Sequence, residues 1–228
     1  KVGTLVGGPI DLSSLWSSGD CAADAGDPVV SYDPLADRWV LAQFNGADTL
    51  CFAVSQTANP LGTYWIYDFQ TTDFPDYFKI GVWPDGYYVS TNEANYNAWA
   101  FDRVKMLQGL VAGSIKATGF AANFLMPADV DGIVAPPPGA PAIYYTFLDN
   151  SFHGGTDRLE LRAFDVNWVT PALSTFTTIG SPAVTSFTYT VCGFFNLSCA
   201  PQPGTGQQVD VVSEWPMFRL AYRRFAGH

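Results

Sequence analysis

An all-β chain made of repeated sheets of about four strands is the fold class this sequence predicts, on three observations. Short runs of β-branched and aromatic residues recur at roughly 8 to 12 residue spacing between turn formers. Helical periodicity is scarce, and its best stretch, 101–108, is barely two turns long before Gly109. Finally, a pattern of acidic residue, apolar strand, polar turn and aromatic strand begins near positions 27, 76, 129 and 210. The starts lie roughly 50 residues apart, the last interval being longer and carrying an apparent insertion.

Taken in order, the first unit runs from Asp27 through Val29–Tyr32, Trp39–Phe44, Leu50–Ser55 and Thr63–Phe69, four strands with a turn after each. The second opens at Asp76 and turns through Trp83-Pro-Asp-Gly86 into Tyr87–Ser90. The third starts at Asp129-Val-Asp-Gly-Ile133, crosses a proline-rich turn to Ile143–Phe147, and continues through Leu159–Phe164 and Ser174–Thr178. The fourth, Asp210–Tyr222, holds two strands before the sequence stops at His228. Four-stranded units of this length are the blades of a β-propeller, so one domain over 1–228 is expected. An open fourth blade predicts an incomplete ring, either part of a larger propeller or one completed by a second chain.

Of 228 residues, 48% are apolar and 15% aromatic, enough to bury a core and exclude disorder. A formal charge of -10 has the wrong sign for phosphate backbones, so no nucleic-acid partner is expected. No apolar run reaches the roughly 18 residues of a membrane span, and any export signal is expected to be absent from this stretch. Cys21, Cys51, Cys192 and Cys199 match no zinc spacing and fall into two local pairs. Two disulfides in an oxidising, extracellular setting are favoured over four reduced thiols. Asn196-Leu197-Ser198 is a formal glycosylation sequon.

The segments DPVVSYDPLADRWVLAQF (27–44), FPDYFKIGVWPDGYYVSTNE (74–93), AFDRVKML (100–107), LMPADVDG (125–132), PQPGTGQQVD (201–210) and FRLAYRRF (218–225) resemble a widespread family of secreted bacterial proteins. The resemblance implies a β-propeller with further blades after residue 228. It brings no established activity and no recognised catalytic set.

Chemistry has three candidate places. If Asp27, Asp76, Asp129 and Asp210 each begin an innermost strand, they converge at one channel mouth, where calcium, with Asp131 as an added ligand, would neutralise them. The plainer alternative is that each caps backbone N–H groups or pairs with a base. The polar loop 149–158 holds His153 beside Arg158, which with Tyr144 could form the base and carboxylate clamp of a polysaccharide lyase, or else simple hairpin-turn chemistry. Asp85, Glu93, Glu160 and Glu214 are candidate acids for a glycoside hydrolase. Asn92, Glu93, Tyr96 and Trp99 form the favoured ligand-binding loop, with exposed rings to cover sugar C–H patches. The S-x-D-x-G-x-T-W, G-x-S-x-G, H-E-x-x-H and P-loop signatures are absent. The leading expectation is a secreted module that binds an extracellular ligand, most plausibly polysaccharide. The alternatives are a carbohydrate-active enzyme and a structural or adhesive assembly protein.

Overall fold

The computed structural model describes residues 3–23, 25–94, 96–117, 124–188, 191–192, 198–213 and 215–225, and of Tyr96 the backbone only. The sequon at Asn196 and the acid Glu214 lie outside the described residues.

Strands β1 (Gly26–Asp33), β2 (Arg38–Phe44), β3 (Thr49–Ser55) and β4 (Tyr64–Gln70) form the first antiparallel sheet in sequence order. The second sheet is β5 (Lys79–Val82), β6 (Gly86–Asn92), β7 (Tyr96–Asp102) and β8 (Ser114–Lys116), again in sequence order. Between β7 and β8 the anticipated helix is a single turn, α1 (Arg103–Met106), capped by the Asp102 side chain. The third sheet contains β9 (Met126–Val130), β10 (Ala142–Leu148), β11 (Arg158–Asp165) and β12 (Thr175–Gly180), with the one-turn helix α2 (Asn150–His153) between β10 and β11. A small hairpin joins β13 (Ala200–Pro201) to β14 (Gln208–Val209).

The fourth unit differs from expectation. Of its two anticipated strands, one is formed, β15 (Leu220–Tyr222), and it pairs in parallel with β9 as the edge of the third sheet. No fourth four-stranded sheet and no closed ring of sheets is present among the described residues.

The strand alternation of period two decides how the sheets stack. In β6 and β7, Tyr87, Val89, Trp99 and Phe101 enter the core shared with Val40, Phe52 and Val54 of the first sheet. The intervening Tyr88, Ala98 and Ala100 enter the core shared with Ala128, Tyr144 and Phe164 of the third. Both faces of the second sheet are therefore buried, which explains its near-continuous apolar sequence. The outer face of the first sheet is closed by Trp16 and the Cys21–Cys51 disulfide, while Cys192–Cys199 forms the second bridge.

The first strands of the sheets lie beside one another, β1 against β5 and β5 against β9. At Gly81 the approach is so close that a Cβ would collide with the carbonyl oxygen of Ala128 and sit 3.1 Å from Pro127 Cβ. The Val82 N–H donates to Asp129 Oδ1 at 2.9 Å and the Trp83 indole to the Ala128 carbonyl at 2.9 Å. Between the first two sheets the pin is ionic: buried Arg103 grips buried Asp33 through Nε at 2.6 Å and Nη2 at 2.9 Å. The Tyr87 hydroxyl and the N–H groups of Leu35 and Ala36 also donate to that carboxylate.

Non-glycine residues with positive φ are uncommon; besides Asp37 (55°) in the β1–β2 turn, they are Asp27 (49°), Tyr77 (49°), Phe124 (55°) and Val212 (47°), each near the start of one of the four sequence units. Of the four aligned aspartates, Asp27 has this conformation itself and Asp76 directly precedes such a residue, whereas Asp129 falls five residues after Phe124 and Asp210 two before Val212.

Candidate functional site

The aligned acids separate into three places. Asp27 and Asp76 lie near Lys79, whose ammonium stacks 3.6 Å from the Tyr77 ring centroid. Burial pushes the lysine pKa down, and the two carboxylates oppose that shift. Asp76 also accepts the Tyr77 N–H at 2.8 Å. Asp129 and Asp131 line a cleft of about 250 Å³ with Tyr32 and Arg219. Arg219 pairs with Asp129, and Arg223 with Asp131. Burial raises the Asp129 pKa, and the Val82 N–H and Arg219 act against it. Asp210 accepts the Val212 N–H at 2.8 Å. Each carboxylate thus has a backbone or basic neighbour, and the described residues contain no group of three or more His, Cys, Asp or Glu suited to a metal ion. They do not fit a calcium site, which takes six to eight oxygens.

The lyase trio is not assembled either. Tyr144 is fully buried, its hydroxyl donating to the carbonyls of Trp99 (2.9 Å) and Val89 (3.1 Å), so it ties the third sheet to the second. His153 stands instead at the end of α2, beyond β10, edge-on to Phe152, with a pKa lowered first by burial. Arg158 donates to the carbonyls of Gly154 and Thr156. That loop is organised by two other acids. Asp149 caps α2, and Asp157 accepts from Asn150 N–H at 2.7 Å and Ser186 hydroxyl at 2.6 Å. The Ser186 bond is the first cause of the lowered Asp157 pKa.

The expected sugar-binding loop is a tight β6–β7 connection in which Asn92 pairs with Tyr96. Trp99 is 7% exposed and Glu93 5%, so neither presents a surface. Glu93 Oε1 accepts from the Trp99 indole at 2.7 Å and the Thr91 hydroxyl at 2.6 Å, while Oε2 accepts the Thr72 N–H at 2.9 Å. Period-two alternation turns Trp99 into the core with Phe101, which the density of nearby polar residues obscured. Of the remaining acids, Glu160 pairs with Arg162.

Asp85 belongs to a different place. A groove of about 460 Å³ opens between the second and third sheets, lined by Pro84, Asp85, Tyr88, the 135–141 loop, Phe164, Asp165, Val166 and Trp168. The Tyr88 hydroxyl donates to Asp85 Oδ2 at 2.9 Å, and burial foremost, with Asp85 next, keeps that phenol protonated. Trp168 is half-buried, yet its indole nitrogen is wholly buried without a hydrogen-bond partner among the described residues. Ring carbons, not the N–H, are therefore what Trp168 offers to the groove. Pro84, Pro136, Pro137, Pro138 and Pro141 also line the groove. The lining combines apolar ring surfaces with two carboxylates, Asp85 and Asp165. Sequence reasoning singled out Asp85 alone of these residues, although Pro136-Pro137-Pro138 and Trp168 were visible signals.

Another groove, of about 480 Å³, is lined by Phe147, Val184, Phe187, Trp215 and Met217, with no charged lining residue among the described residues. No helix among the described residues is long and apolar enough to cross a membrane. No protein-family model, no curated protein and no solved structure matches the chain.

Proposed function

We propose that the three sheets are successive blades of a β-propeller and that the chain is an extracellular recognition module for polysaccharide, seated in the groove between the second and third sheets. The blade reading is supported by neighbouring first strands, by a middle sheet buried on both faces and by the left-handed residue near each unit's start. Two disulfides agree with an oxidising compartment.

The observation that carries the recognition reading is the groove itself, whose lining brings the Trp168 ring and several prolines together with the Asp85 and Asp165 carboxylates. Pyranose rings have apolar C–H patches and hydroxyl edges, so such a site covers the patch with a ring and accepts hydrogen bonds from the hydroxyls. A panel of soluble oligosaccharides, measured by calorimetry, tests this. Binding that weakens about tenfold or more in Trp168→Ala, with unchanged circular dichroism, supports the site. Absence of binding across the panel, or binding indifferent to Trp168, refutes it.

A further inference from the structure

The charged residues of the groove narrow its ligand class. Among the described residues its lining includes Asp85 and Asp165 and no lysine, arginine or histidine. Two arginines come close from behind. Arg103 donates to the Pro84 carbonyl at 2.8 Å but is already committed to Asp33. Arg224 reaches the Ala135 carbonyl at 3.2 Å, in the 135–141 loop. Asp85 accepts from the neutral Tyr88 hydroxyl and forms no ion pair among the described residues, and Asp165 is exposed at the end of β11. The chain as a whole carries -10.

A ligand in this groove meets two carboxylates among its lining residues, so a polyanion such as a uronate polymer meets repulsion from the groove and from the protein's net charge. A protonated amine, by contrast, can donate two or three charge-assisted hydrogen bonds to a carboxylate while its sugar ring keeps the C–H face that an indole covers. From this complementarity of ring surface and charge we infer that the groove selects amine-bearing glycans, oligomers of amino sugars, over neutral and acidic ones. The inference rests on the glycan reading of the same groove.

The experiment compares three β-1,4-linked hexamers at pH 6, of glucosamine, glucose and glucuronate, together with hexalysine. The wild-type chain should bind the glucosamine hexamer about tenfold or more tighter than the glucose hexamer, and the glucuronate hexamer worst. Asp85→Asn and Asp165→Asn should each cut that preference by about three- to fivefold while leaving the glucose hexamer nearly unaffected, and salt should erode it. Equal affinity for the glucosamine and glucose hexamers overturns the inference but leaves the glycan reading standing. Hexalysine binding as tightly as the glucosamine hexamer overturns it too, because charge alone would then explain recognition. Binding of no hexamer defeats the glycan reading itself. Thermal unfolding of each variant separates loss of preference from loss of fold.

Discussion

Removing the Arg103 side chain should unfold the junction of the first two sheets more readily than any exposed ion pair could. Asp33 is fully buried and Arg103 is 6% exposed, and the carboxylate receives two guanidinium bonds, a phenol and two backbone N–H groups. In Arg103→Ala the aspartate keeps the last three donors but loses its only counter-charge among the described residues. Breaking a buried pair in this way costs about 3–5 kcal/mol. For a domain of this size each kcal/mol lowers Tm by about 2–4 °C, so the expected fall is about 6–20 °C. Calorimetry and urea unfolding monitored by tryptophan fluorescence both read it. The diagnostic companion is Asp33→Leu combined with Arg103→Met, which removes both charges and should cost less than Arg103→Ala alone. An Arg103→Ala loss below about 1 kcal/mol, the range of surface pairs, would refute the claim that this contact pins the sheets.

Other outcomes follow from the same geometry. Gly81→Ala forces β5 away from the Ala128 carbonyl and should destabilise by about 1–3 kcal/mol or more, seen as a lower urea midpoint. Replacing Cys21 and Cys51 by alanine frees a loop with a sequence separation of 30, and chain entropy puts the loss at about 3–4 kcal/mol, measured against the reduced wild type as control. Trp99→Phe deprives the buried Glu93 Oε1 of its indole donor and should cost about 1–3 kcal/mol in equilibrium unfolding. Because the folded-state pKa of Asp157 is depressed, its stabilising contribution is present above the ordinary carboxylate range and disappears as pH falls through the lowered value. Ser186→Ala should move the Asp157 carboxyl titration upward, as followed by carbon NMR; an unmoved titration would mean the hydroxyl is not its main partner.

Hairpins were legible because their information is local. Leu50–Ser55 and Ala142–Phe147 were read within two residues of β3 and β10, since turn formers bracket dense β-branched and aromatic runs. The parallel β9–β15 pairing was not legible: its partners are more than 90 residues apart and β15 is three residues long. The aspartate repeat misled for a related reason. A carboxylate can be supplied from several positions along a strand, so Asp129 and Asp210 stand at different offsets from the left-handed residues Phe124 and Val212. The groove draws on residues near 85, 138 and 166, distant in sequence and joined only once the second and third sheets pack. Trp99 differs from expectation because the strand's period-two alternation, not its polar neighbours, decides that its ring is buried.

Both ends of the stretch from 181 to 219 are anchored in the same sheet, at β12 before it and at β15 after it. Topologically it is a detour that leaves a platform and returns to it, with Cys192–Cys199 cinching its middle. Lengthening such a detour costs only about 0.6 kcal/mol for each doubling. Foreign sequence could thus be spliced into this excursion, for instance a reporter peptide near Gly204-Thr-Gly206, without rewriting any strand register of the first two sheets.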